Sequence, residues 1–208
     1  MAGTVEPTVA IVDDDDAGRE SLRWLIELIG LKVEAYASPI EFLATYDGSR
    51  PGCLVLDIRL PKVSGLDLLK TLRDRGILTP AIMITAYGDV PMAVKAMKNG
   101  AIDFLQKPFN DQEFLDRVQQ GIQNDVRQRQ ANVEVESLRQ RQHILSARER
   151  EVMDRLVQGK QNKEIAREMG ISPKTVEAHR AKVMDKMAAN SLAQLVQMAS
   201  ALDPRNMA

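Results

Sequence analysis

The 208-residue sequence contains one cysteine, Cys53. No internal disulfide can form, and the chain suits a reducing compartment. Cys53 heads an aliphatic run, where it reads as a small core residue rather than a reactive thiol. Long hydrophobic runs are also missing, and no segment approaches the roughly 18 apolar residues of a membrane span. The opening "MAGTVEPTVAIVDDDD" has neither the basic start nor the apolar centre of a secretion signal. A cytoplasmic protein with no membrane partner is therefore expected. The net charge is only −1, which by itself selects no class of partner.

The 44% hydrophobic content is enough for packed cores, and the length suits two domains rather than one small one. Charge is divided unevenly. Residues 1–124 carry 18 acidic against 13 basic side chains, and residues 125–208 carry 11 against 15. An acidic front and a basic back suggest different partners, with nucleic acid a candidate for the back.

The front alternates. Short β-rich runs "TVAIV" (8–12), "KVEAY" (32–36), "CLVLD" (53–57), "PAIMIT" (80–85) and "IDFLQ" (102–106) are separated by helical patterns. Helical periodicity appears in 17–29 (Leu22, Leu25, Ile26, Ile29), 65–75 (Leu66, Leu69, Leu72), 90–98 (Val94, Met97) and 111–122 (Phe114, Leu115, Val118, Ile122). Gly30 and Gly100 stand where helices should stop. Repeated strand–helix alternation predicts a doubly wound α/β domain, (βα)5, with a five-stranded parallel sheet over residues 1–124. Residues 125–143 are rich in Gln and Arg and lack Gly and Pro, which reads as a helical linker or a disordered tether. Residues 144–208 show no strand pattern. Ser146 and Glu149 have capping-box spacing, Gly170 ends a short helix, and Ser172 with Pro173 begins another. Four short helices make this an all-α domain.

Polar residues collect at the carboxyl ends of the strands, where open α/β sheets bind ligands. Asp13 to Asp16 follow the first strand, Asp57 ends the third and Thr85 the fourth, and Lys107 follows the fifth. Gathered carboxylates repel unless a cation holds them. Mg²⁺ (or Mn²⁺) suits such oxygen donors. With Thr85 and Lys107 to bind phosphate oxygens, the set specifies a carboxylate that accepts a phosphoryl group. Each part alone has a plainer reading: a solvated N-cap cluster for the aspartates, a strand-end threonine, a surface lysine. An EF-hand is excluded, because counting from Asp13 puts Trp24 where the glutamate belongs.

"VDDD", "LVLDIRLPKVSGLDLL", "MITAYGD" and "AMKNGAIDFLQKPF" resemble the receiver domain of two-component response regulators over roughly residues 7–123. The resemblance implies Asp57 as phosphoacceptor, with Asp13, Asp14, Asp57 and the Arg59 backbone carbonyl around the metal. Lys107 binds phosphate, and Thr85 and Phe104 are the switch residues, although Phe104 also reads as a strand-five core residue. The face that changes shape would include Val90, Met92, Lys95, Ala96 and Arg117, and serve dimerisation.

"SPKTVEAHRAKVMDKM" (172–187) places Val176, Val183 and Met187 on an apolar stripe and leaves a basic surface. After the turn "EMGIS", it reads as the recognition helix of a helix-turn-helix or as an ordinary amphipathic surface helix. Residues 145–197 resemble the LuxR/FixJ-type DNA-binding domain. That resemblance implies base-facing Lys174, Glu177, Ala178 and Ala181, with Lys163, Arg180, Lys182 and Lys186 toward phosphates and Thr175 among the DNA-binding residues. Two alanines on the reading face leave a share of specificity to DNA shape.

The whole chain thus resembles a phosphorylation-activated transcription regulator rather than an enzyme. A histidine kinase would phosphorylate Asp57. A homodimer would then bind double-stranded promoter DNA as an activator, with RNA polymerase a further candidate partner. An aspartyl-phosphate hydrolase would want a second acid two residues beyond the nucleophile, and position 59 is Arg. A DNA-binding protein with a relic receiver would want a degraded pocket, which the sequence lacks.

Overall fold

The computed structural model describes residues 6–203, and the chain divides into two compact units after Arg129. In the first unit, β1 (Thr8–Val12), β2 (Lys32–Tyr36), β3 (Gly52–Asp57), β4 (Ala81–Thr85) and β5 (Asp103–Gln106) alternate with helices. These are α1 (Asp16–Glu27), α2 (Pro39–Thr45), α3 (Gly65–Asp74), α4 (Val90–Lys98) and α5 (Asp111–His143). Every strand pair is parallel, in the order β2-β1-β3-β4-β5. This is the expected doubly wound sheet.

Strand side chains alternate between faces, and both faces are covered. Ala10, Val12, Leu54, Leu56, Ala81 and Met83 pack with Phe42 of α2, Leu66, Leu69 and Leu72 of α3 and Ala96 of α4. Val9, Ile11, Cys53, Val55, Ile82 and Ile84 pack with Leu22 and Ile26 of α1 and with Phe114, Val118 and Ile122 of α5. Double coverage explains why the central strands read as unbroken aliphatic runs. Each such buried side chain contributes about 1.5–3 kcal/mol, and a helix cap about 1 kcal/mol. The core therefore decides the architecture, and the caps set its edges. Helix α2 went unrecognised in the periodicity because it has only seven residues. Its signal lies in its cap: Ser38 Oγ accepts from Glu41 N at 3.2 Å, and Glu41 Oε2 accepts from Ala37 N at 3.0 Å.

Helix α5 runs unbroken for 33 residues, so residues 125–143 are helical. The second unit adds α6 (Ala147–Val157), α7 (Asn162–Met169), α8 (Pro173–Met187) and α9 (Leu192–Leu202). Ser146 and Glu149 close a full capping box on α6. Gly170 takes the left-handed conformation that ends α7 (φ 65°), and Ser172 caps α8 two residues later. Val152, Met153, Leu156, Ile165, Val176, Val183, Met187 and Leu195 form one core, with α8 packed on α6 and α7. Among the described residues, no helix is long and apolar enough to cross a membrane.

Candidate phosphoacceptor site and nucleic-acid interface

The strand order reverses between β1 and β3, and a crevice opens there at the carboxyl ends. Val12 is in register with Leu56, so Asp13 and Asp57 emerge side by side. Lys107 follows β5, and its N–H donates to the Thr85 carbonyl at 2.8 Å. Its ammonium then reaches Asp13 Oδ2 at 2.7 Å and Asp57 Oδ1 at 3.4 Å. Asp57 Oδ2 accepts from the Arg59 N–H at 2.8 Å. Beneath Asp57, any Cβ at Gly65 would stand 2.0 Å from the Asp57 carbonyl oxygen, so this position admits no side chain.

Burial pushes the Asp57 carboxyl above the ordinary carboxylate range; Asp13 adds to this, while Lys107 and the Arg59 N–H act against it. Burial works against charge on Lys107, yet its contacts with Asp13 and Asp57 leave its pKa raised. The pocket therefore holds one fixed cation between two crowded carboxylates.

The four consecutive aspartates divide their roles. Asp13 is 1% exposed and also accepts from Asp15 N at 3.0 Å. Asp15 caps α1 by accepting from Gly18 N at 3.0 Å. Asp16 pairs with Arg19, whose other terminal nitrogen donates to the Asp13 carbonyl at 2.7 Å. Asp14 is exposed and makes no hydrogen bond or ion pair among the described residues. The structure thus brings Asp13, Asp57 and Lys107 together and leaves Asp14 at the surface. No three acidic, histidine or cysteine side chains among the described residues are gathered closely enough to hold an ion by themselves. The chemistry of the donor set still fits a hard divalent cation: two mutually repelling carboxylates, with a third unengaged in the adjoining loop.

Thr85 is buried, and its Oγ1 accepts from the Tyr87 N–H at 3.3 Å. The half-buried Phe104 ring lies over Gly88, where a Cβ would stand 2.9 Å from Cε1 and 3.4 Å from Thr85 Cγ2. The two candidate switch residues therefore meet at one glycine. The Arg59 guanidinium stacks over the Tyr87 ring, 4.5 Å from its centroid, bridging the loops after β3 and β4. Sequence reasoning passed over this pair. Its signal was that each residue lies two beyond a pocket residue.

On α8, Lys174, Thr175, Glu177, Ala178, Ala181 and Lys182 are exposed, as is Lys163 on α7. The Thr175 hydroxyl lies 2.8 Å from Ser172 Oγ. Arg180 is half-buried, and its Nη1 donates to Asn162 Oδ1 at 3.3 Å. Lys186 departs from the expectation of a phosphate contact. Its ammonium is bonded to Glu149 Oε2 at 2.7 Å and the Ile144 carbonyl at 3.2 Å, so it braces the start of α6.

Comparison with known proteins identifies both units. Residues 9–119 match the response regulator receiver domain, and residues 143–199 match the bacterial regulatory proteins of the luxR family. The chain is 45% identical over 194 residues to the transcriptional regulatory protein FixJ of Rhizobium meliloti (strain 1021), covering 93% of this chain and 95% of that one. It belongs to the FixJ-type response regulators. The response regulator StyR, at 42% identity, superposes with a TM-score of 0.85 over 94% of this chain and 98% of its own. Full-length FixJ from B. japonicum gives 0.60 at 40% identity, over 96% and 98%. As a FixJ-type regulator, the protein joins a receiver to a LuxR-type DNA-binding domain and serves transcriptional regulation in a two-component system. Its relatives are transcription regulators, not enzymes. A receiver implies a histidine kinase partner, and receivers generally bind Mg²⁺ for phosphorylation.

The FixJ-type receiver also corrects the expected dimer face. Ala96 is 0% exposed and belongs to the core, so it cannot meet a partner. Met92 is half-buried against the same core. Val94 and Met97, whose spacing suggested a core-facing stripe, are instead 47% and 48% exposed, and Val90 is 76% exposed. Helix α4 presents Ala96 to the sheet, with Met92 partly packed beside it, and turns Val90, Val94 and Met97 outward. Lys95 is exposed, and Arg117 on α5 pairs with Asp103 at 3.0 Å.

Proposed function

We propose that Asp57 accepts a phosphoryl group from a phosphohistidine of the partner kinase. The P–N bond breaks, the imidazole leaves, and a P–O bond forms to an Asp57 carboxylate oxygen. Asp13, Asp14, Asp57 and the Arg59 backbone carbonyl would hold Mg²⁺ (or Mn²⁺). When bound, the cation offsets negative charge on the transferred group. Lys107 pairs with one phosphoryl oxygen. The Thr85 hydroxyl leaves the Tyr87 N–H to donate to another, and the Phe104 ring turns into the space that Thr85 vacates.

The change carries to α4, whose Val90, Val94 and Met97 form an outward apolar row beside Lys95. A second copy of the receiver covers this row, and the dimer presents two α8 helices to two half-sites of promoter DNA. Lys174, Glu177, Ala178 and Ala181 face the bases, with Lys163, Arg180 and Lys182 toward phosphates and Thr175 at the DNA-facing start of α8. The gain comes from making the second half-site contact intramolecular. The observation that carries this reading is the single lysine shared by Asp13 and Asp57 at the mouth of the β1/β3 crevice.

Sedimentation of the full chain with Mg²⁺, with and without beryllofluoride, tests it. The expected result is a shift from monomer to dimer that disappears in Asp57→Ala. An Asp57→Ala variant that dimerises fully on the same treatment refutes the acceptor assignment. An unchanged mass in the wild type refutes dimerisation as the output.

A further inference from the structure

Asp125 is a buried carboxylate to which the phosphoacceptor chemistry assigns no role. It lies on α5, in the stretch whose composition reads as an exposed linker. Its Oδ2 accepts from the N–H of Gly52, the first residue of β3, at 2.8 Å. The same oxygen accepts from Arg129 Nε, one turn further on, at 2.7 Å. The terminal nitrogens of Arg129 donate to the carbonyls of Gly48 at 2.8 Å and Ser49 at 3.1 Å. One carboxylate and one guanidinium thus fasten α5 to the loop and strand that lead to Asp57, at the other end of β3.

Beyond Arg129, α5 loses its cover. Residues 130–137 are exposed or half-buried, and the next buried residue is Leu138. Of the two valines in that stretch, Val133 is 71% exposed and Val135 is half-buried. Helix nucleation is costly, and a short helix without a packed face is marginal in water. The bare stretch therefore depends on the held turn from which it continues.

We propose that the Asp125–Arg129 clamp is the foot of the linker helix. It keeps residues 130–137 helical and, through Gly52, couples that helix to the strand carrying the phosphoacceptor. Asp125 and Arg129 are positioning residues for the output, outside the chemistry at Asp57. The inference rests on the reading of Asp57 as a phosphorylation switch.

Amide hydrogen exchange on the full chain, with Mg²⁺ and with or without beryllofluoride, tests it. In the wild type, beryllofluoride changes exchange both in the pocket loops and in residues 130–137. In Arg129→Ala, linker amides exchange about tenfold faster and no longer respond, while the pocket loops still do. The retained pocket response certifies that the variant is folded. Arg129→Lys, which keeps the charge but cannot bridge both carbonyls, recovers part of the protection. Linker exchange in Arg129→Ala equal to the wild type, or responding equally to beryllofluoride, overturns the proposal. So does a wild type in which the pocket responds and the linker does not. A wild type whose pocket ignores beryllofluoride removes the phosphoacceptor reading itself, and the coupling with it.

Discussion

Replacing Lys107 with methionine keeps most of the side-chain length and removes the charge. At an effective dielectric of about 20, the contacts at 2.7 and 3.4 Å correspond to attractions of about 6 and about 5 kcal/mol. Desolvation of the ammonium and crowding of the two carboxylates offset most of that. Removing one partner of a buried pair costs about 3–5 kcal/mol, and the partial exposure of Lys107 reduces this to about 2 kcal/mol. For a unit of this size, that lowers Tm by roughly 4–8 °C. The assay is thermal unfolding in chelator, followed by the fluorescence of Trp24, the single tryptophan, which sits on α1 and reports the receiver. The Asp57 carboxyl should rise further above its ordinary range, since Lys107 is the main influence holding it down. Added Mg²⁺ should return more stability to Lys107→Met than to the wild type, because it restores a cation to the uncompensated carboxylates. A variant as stable as the wild type in chelator, or one indifferent to Mg²⁺, refutes the assignment of Lys107 as their counter-ion.

Asp57→Asn should melt above the wild type at neutral pH. The folded-state carboxyl is raised, so ionising it disfavours the folded receiver. The advantage should shrink as pH falls through the raised folded value, where the wild type takes up its proton, and vanish below the ordinary carboxylate range, which melts across that window would check. Glu149 behaves oppositely. The Lys186 hydrogen bond, with the Ser146 N–H, holds it at about 2, so its contribution is present above the ordinary carboxylate range and is lost as pH falls toward that value. Glu149→Gln should flatten this acid dependence, read from amide exchange in α6. Ala96→Glu should unfold the receiver by forcing a carboxylate into its core. Val94→Glu should keep the fold and abolish dimerisation with beryllofluoride, measured by sedimentation.

The strands and the pocket were legible because both are written in local text. Five aliphatic runs ended in polar residues, and parallel pairing necessarily brings those ends to one edge. Helix α4 was misread because Val94 and Met97 have helical spacing, yet spacing does not say which face meets the sheet. A small residue, Ala96, lets the helix approach closely, and hydrophobicity alone undervalues it. Lys186 and Asp125 were beyond reach for another reason. Their partners lie 37 and 73 residues away, so a basic recognition helix and a polar linker hide a capping partner and a buried anchor. The aspartate run was ambiguous by composition. Only geometry distinguishes the cap, the arginine partner, the buried carboxylate and the free one.

The close approach of Gly65 to the Asp57 carbonyl bears on which parts of the receiver can travel. With the neighbouring backbone 2.0 Å from where any Cβ would stand, the end of β3 is wedged against the start of α3. With Asp57 as the proposed phosphoacceptor, the end of β3 is then the stationary anvil of the device. On that reading, Thr85 on β4 and Phe104 on β5 travel toward Asp57 rather than Asp57 toward them.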